Sequence, residues 1–157
     1  MAGQYQFSTD NTTTINQNNY PIQYAMDVDQ DSKYTYTSNV NNQRARFYLC
    51  LPSCLRIQIT GVSISFHSDG NTYIQNKNIY VYGSNVGAEL AIPTGTNDFD
   101  AITSFNLSDA NGGVYAKSVT VSPLKDAYNK IKIEVDFVSS PVYLRTLDFN
   151  VNAYYYP

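Results

Sequence analysis

Three carboxylates stand at alternate positions in Asp27-Val28-Asp29-Gln30-Asp31, the spacing with which a calcium loop begins to gather oxygen ligands around a hard cation. The rest of such a loop is missing. Its sixth position is Ser32 rather than glycine and its twelfth is Ser38 rather than glutamate, so neither the sharp turn nor the bidentate ligand is supplied. The triplet reads as a solvated acidic edge. His67 is the only histidine, with Ser65, Ser68 and Asp69 close in sequence. Acyl transfer would need nucleophile, base and orienting acid to converge, whereas consecutive strand residues point to opposite faces. His67 is therefore expected to be exposed in a turn. Cys50 and Cys54 flank Leu51-Pro52-Ser53. They lack the paired spacing of a zinc site and have no second histidine to join them. A local disulfide across the turn is geometrically feasible but not dictated. No G-x-S-x-G, H-E-x-x-H or phosphate-cradling glycine motif occurs, and the eleven Asp and two Glu, Glu89 and Glu134, single out no glycosidase pair. The expectation is a protein without catalytic residues, cofactor or metal.

Fifteen tyrosines and no tryptophan are the unusual feature. Tyrosine buries a large ring while keeping a wet hydroxyl, which suits interfaces and sugar surfaces, although it is also simply a good strand residue. Tyr34 and Tyr36 share one parity, Tyr80 and Tyr82 another, and Tyr154 and Tyr156 lie opposite Ala153 and Tyr155. With Tyr20, Ile22, Tyr24 and Met26 these form the expected interface set. Two sequons, Asn11-Thr12-Thr13 and Asn106-Leu107-Ser108, could accept glycans, though such matches arise by chance in a chain this rich in Asn, Ser and Thr.

The elements that must position these residues are strands. A chain of 157 residues suits one domain that buries roughly 70% of its unfolded surface. Asn, Thr, Ser, Tyr, Val and Ile dominate, and these favour strands and turns. A net charge of −3 and four arginines, of which only Arg44 and Arg46 are close, provide no basic field for nucleic acid as the main partner. No apolar run is long enough for a transmembrane helix, and the first residues lack the features of a secretory signal, so the chain is expected to be cytosolic in synthesis or already processed.

Residues 1–30 show no sustained period and read as an extended polar arm, ahead of a β-sandwich over 31–157. Within it, strands are expected at Tyr34–Thr37, Arg46–Leu51, Leu55–Phe66, Ile79–Tyr82, Ala88–Ile92, Ile102–Leu107 and Val114–Val121. Leu55, Ile57 and Ile59 share one parity and Val62, Ile64 and Phe66 the other, so an extra residue around Thr60-Gly61 predicts a β-bulge, with a positive φ at Gly61 as its expected device. Ile131, Ile133, Val135 and Phe137 alternate with charged residues. After Val138-Ser139-Ser140-Pro141, Leu147, Phe149, Val151, Ala153 and Tyr155 alternate again. These two segments predict an antiparallel hairpin with Val135 and Phe149 in the core. The sum is an all-β domain, an antiparallel sandwich or jelly-roll barrel of about eight strands.

Taken with the arm, the bulged Leu55–Phe66 strand and the closing segment Tyr143 to Tyr156, the chain resembles small virion structural proteins of jelly-roll type. That resemblance implies a capsid, turret, penton or tail component located in the virion, a homo-oligomer that also meets other virion proteins through its arm, loops and strand edges. The second expectation is a carbohydrate-binding β-sandwich module, extracellular or at the cell surface, with surface tyrosines and Asp and Asn side chains meeting a glycan.

Overall fold

The computed structural model describes residues 6–8, 36–38, 44–68, 78–95, 97–108, 113–136 and 142–157. Nine strands lie within them: β1 Gln6–Ser8, β2 Tyr36–Ser38, β3 Arg44–Cys50, β4 Arg56–Ser68, β5 Asn78–Ser84, β6 Asp100–Asn106, β7 Gly113–Thr120, β8 Lys130–Asp136 and β9 Val142–Tyr156. They form two antiparallel sheets, one in the order β1-β3-β8-β5-β6 and one in the order β2-β9-β4-β7. Among the described residues no helix is long and apolar enough to cross a membrane.

Alternation explains how the sheets meet. Phe47 of β3, Ile131, Ile133 and Val135 of β8, and Ile79 and Val81 of β5 all point inward and are buried. They join Ile57, Ile59, Val62 and Ile64 of β4 in one apolar cluster. The parity change in β4 is a bulge, as expected: Ile59 pairs with Ala153 and Gly61 with Asn152, leaving Thr60 as the extra residue. Its device differs from the expected one. Among the described residues Gly87, not Gly61, is the glycine with positive φ, and a Cβ on Gly61 would stand 3.2 Å from the Val119 carbonyl oxygen, so close strand approach is what crowds a side chain there.

Tyr128 closes one end of the core. It is buried, its backbone exchanges 2.8 Å hydrogen bonds with Ile57 in both directions, and its ring lies where a Cβ on Gly83 would be, 2.2 Å from Cδ2. Its hydroxyl donates to Asp100 Oδ2 at 3.1 Å. Burial first, and then Asp100, push its pKa up to about 12.

Several sequence expectations need correction. The segment before Pro141 and the closing strand do not form a hairpin: β8 is flanked by β3 and β5, whereas β9 is flanked by β2 and β4 in the other sheet. With both ladder edges of each strand engaged at these pairings, β8 and β9 belong to different sheets and are not ladder partners. Ala88–Ile92 is not a strand. Gly87 at φ 87° and Leu90 at φ 58° turn the backbone out of the extended region, and Ala91 N–H donates to the Ala88 carbonyl at 3.2 Å. His67 lies in β4 rather than a turn, because β7 and β9 both continue the ladder past the apolar pattern, opposite Val114 and Arg145. Val135 is in the core. The Phe149 backbone pairs with Ile64, and its side chain lies outside the described residues. Tyr155 has the core parity yet is 72% exposed, since it pairs with Ile57 at the rim where the ladder ends.

Candidate functional site

The outward face of the five-stranded sheet is where the alternating charged residues converge. Register places Arg46 beside Glu134 and Glu134 beside Tyr80, and in the next row Tyr48 beside Lys132 and Lys132 beside Tyr82. A third row holds Cys50, Lys130 and Ser84. Cross-strand neighbours on one face are close enough to interact directly.

This face would be wet but for the chain between β5 and β6, which is laid across it. Lys130, 2% exposed, donates from Nζ to the Val86 carbonyl and, at 2.9 Å, to the Ala88 carbonyl. Ser53 N–H donates to Glu89 Oε1 at 3.1 Å, and the Cys50 thiol approaches the Ala91 carbonyl at 3.9 Å. Farther along, Gly95 N–H donates to Asp98 Oδ2 at 2.9 Å and Asp98 N–H to the Gly95 carbonyl at 3.2 Å, a tight turn that brings Phe99 back over the sheet. The Phe99 ring is 6.3 Å from that of Tyr48.

Between sheet and covering segment is a cavity of about 580 Å³. Its floor is Arg46, Tyr48, Tyr82, Lys132 and Glu134, and its wall is Ile92 to Gly95 with Phe99. Glu134 Oε1 accepts from Arg46 Nε at 3.2 Å and lies 3.3 Å from Lys132 Nζ. The Lys132 ammonium is also 4.4 Å from the Tyr82 ring centre and 4.1 Å from that of Phe99. Two aromatic neighbours and one carboxylate thus hold a cation in place. Ring and proline surface provides apolar contact, Arg46 and Lys132 donate, and Glu134 accepts. Such a mixture suits a small polar ligand with C–H faces. Among the described residues the lining contains no serine, cysteine or histidine. Among the described residues no group of three or more His, Cys, Asp and Glu side chains could hold a metal.

Of the tyrosines expected at an interface, Tyr82 lines the cavity and Tyr80 stacks beside it at 6.4 Å and 25°. Tyr154 and Tyr156 are exposed on β9, in the other sheet, where Tyr156 donates to Gln58 Oε1 at 3.1 Å. Tyr36 contributes backbone to β2. Tyr20, Ile22, Tyr24, Met26 and Tyr34 lie outside the described residues, as do Asp27, Asp29, Asp31 and the Asn11 sequon. Asn106 Nδ2 donates to Asn78 Oδ1 at 2.8 Å. The candidate disulfide is not formed: Cys50 and Cys54 are both free thiols, Cys50 buried and Cys54 exposed. Cys50 is on the outward row under the covering segment, and burial pushes its thiol pKa up, with Lys130 opposing in part. Arg46, Tyr48, Phe99, Lys132 and Glu134 were not among the expected site residues. Their outward parity was visible, but parity alone does not reveal a segment folded over that face.

No protein-family model matches the sequence, and no curated protein matches it. Solved structures do share the architecture. A chain of the Streptococcus pneumoniae β-galactosidase aligns with TM-score 0.68 at 14% identity, over 97% of this chain and 98% of that one. The F5/8 type C domain of a Bacteroides fragilis protein aligns with TM-score 0.62 at 11% identity, over 94% and 89%. The fold is that of the F5/8 type C domain. A chitosan-binding module from a Paenibacillus chitosanase/glucanase also aligns, with TM-score 0.56 at 12% identity, over 96% and 94%.

These comparisons contradict the virion expectation in function, and they lend virion partners and a virion location no support. The sandwich is shared with an F5/8 type C domain, a β-galactosidase chain and a chitosan-binding module. Asn-, Thr- and Tyr-rich strands are what any half-buried antiparallel sandwich uses, so they indicated architecture and not assembly. The one described part of the arm, β1, pairs with β3 of its own chain, Phe7 opposite Leu49.

Proposed function

We propose that this chain is a non-catalytic carbohydrate-binding domain that holds a glycan in the cavity over β3, β8 and β5. The observation that carries this reading is the placing of Tyr82 and Phe99 ring surface beside Arg46, Lys132 and Glu134 in one cavity of about 580 Å³. Aromatic and apolar walls desolvate the C–H faces of a sugar, while charged side chains replace the water on its hydroxyls. Chitosan binding by a module of the same fold supports the reading at the level of architecture. A glycan of this kind is met outside the cell or at its surface.

The test is calorimetric titration of the folded protein with a panel of neutral and charged oligosaccharides, beside the Tyr82→Ala and Phe99→Ala variants. Binding by the parent, weakened about tenfold or more in each variant, is the expected result. A parent that binds no member of the panel, or variants that bind as the parent does, would overturn it.

A further inference from the structure

Gly95 and Phe99 line the cavity, and Asp98, which lies between them in the chain, does not. Its carboxylate nevertheless ties the two together. Oδ2 accepts from Gly95 N–H at 2.9 Å, and Asp98 N–H donates back to the Gly95 carbonyl at 3.2 Å. The carboxylate also fills the space over Gly95, where a Cβ would stand 2.5 Å from Oδ2, 2.7 Å from Cγ and 2.9 Å from Oδ1. Gly95 is not at positive φ, so it is this close approach that calls for glycine. On the other flank of Phe99, Asp100 Oδ2 accepts from the Tyr128 hydroxyl at 3.1 Å. Phe99 is thus anchored on both sides, with its ring centre 4.1 Å from Lys132 Nζ and 6.3 Å from that of Tyr48.

We infer that Asp98 is a positioning residue for ligand binding: from outside the cavity, its clasp on Gly95 fixes the end of the wall and the Phe99 ring in the arrangement that a glycan meets. This rests on the carbohydrate-binding reading above. A ring and a wall ordered before the ligand arrives need not be ordered by it, and the difference appears as affinity. The two anchors of Phe99 differ in what else they hold. Asp100 is bonded to buried Tyr128 and so to the core, whereas the Asp98 clasp is exposed and can be cut without opening the sandwich.

The experiment titrates the parent, Asp98→Ala, Asp98→Asn, Gly95→Ala and the variant carrying both alanines with oligomers of glucose, galactose, N-acetylglucosamine and glucosamine. Thermal melts and the NMR shifts of the Lys132 side chain, which lies against the Phe99 ring, are read beside the affinities. Asp98→Ala should bind about fivefold or more weakly than the parent. Its melt should stay within about 2 °C of the parent's, while the Lys132 shifts move as the ring leaves its place. Asp98→Asn, whose amide oxygen can still accept from Gly95 N–H, should recover most of the affinity. Gly95→Ala should weaken binding in the parent and have little further effect once Asp98 is alanine, because the group it collides with is gone. Parent-like affinity or parent-like Lys132 shifts in Asp98→Ala, an Asp98→Asn that falls as far, or additive losses in the double variant would overturn the inference and leave the carbohydrate-binding reading standing. A loss of affinity that merely follows a collapse of the melt would overturn it as well. Binding of no oligosaccharide by the parent would overturn both.

Discussion

Arg46 Nε donates to Glu134 Oε1 at 3.2 Å across the β3–β8 ladder, where the two residues are direct partners. Because the same oxygen lies 3.3 Å from Lys132 Nζ, Glu134 is a counter-charge to both cations. The Glu134→Gln variant keeps the volume and removes the charge. It should lose roughly 1–3 kcal/mol, less than a fully enclosed pair because Arg46 reaches solvent. Urea denaturation checks this, and an unchanged midpoint would show that the two cations do not need it.

Lys130 pins the covering segment through the Val86 and Ala88 carbonyls. Lys130→Met should change global stability by less than about 2 kcal/mol, since removing a buried charge offsets part of the lost hydrogen bonding and both carbonyls belong to exposed residues that water can reach. The local effect should be larger. Amide exchange over residues 86–92 should speed up and glycan affinity should fall. Parent-like exchange in that segment would mean that the lysine does not hold it.

Tyr128 offers a test of linkage at high pH. Its folded pKa of about 12 is raised above the unfolded value of 10.0, so its contribution is intact below pH 10 and is lost as pH rises through the interval to 12. The slope from this group is about 1.4 kcal/mol per pH unit within that window. Tyr128→Phe should cost about 1 kcal/mol at neutral pH through the bond to Asp100 and should flatten the alkaline decline relative to the parent. Parallel pH profiles for the two proteins would refute this.

Gly83 and Gly61 are both sites of close approach, with different neighbours. A Cβ on Gly83 meets the buried Tyr128 ring at 2.2 Å, so Gly83→Ala should cost at least about 1–3 kcal/mol. On Gly61 a Cβ stands 3.2 Å from a backbone oxygen, and Gly61→Ala should cost less than Gly83→Ala while Gly61→Val approaches it. Thermal melts of the three variants give the order directly, and a parent-like melt for Gly83→Ala would mean that the Tyr128 ring yields freely.

The sequence by itself determined the class of the fold. Period-two alternation in Ile131-Ile133-Val135 and the parity change between Ile59 and Val62 follow from a backbone whose side chains alternate between faces, so they could be read without neighbours. It also singled out Tyr80 and Tyr82 as a pair on one face. Only the tertiary structure decided which sheet each strand joined: the same alternation fits a β8–β9 hairpin and a crossover equally, because pairing partners are chosen by long-range packing. It also decided that the outward face is a site. Glu134, Lys132 and Lys130 alternate as solvent-facing residues do, and they are covered because positive φ at Gly87 and Leu90 turns the chain between β5 and β6 back over the sheet. A periodic pattern records which face a residue occupies, and what lies over that face depends on residues forty positions away.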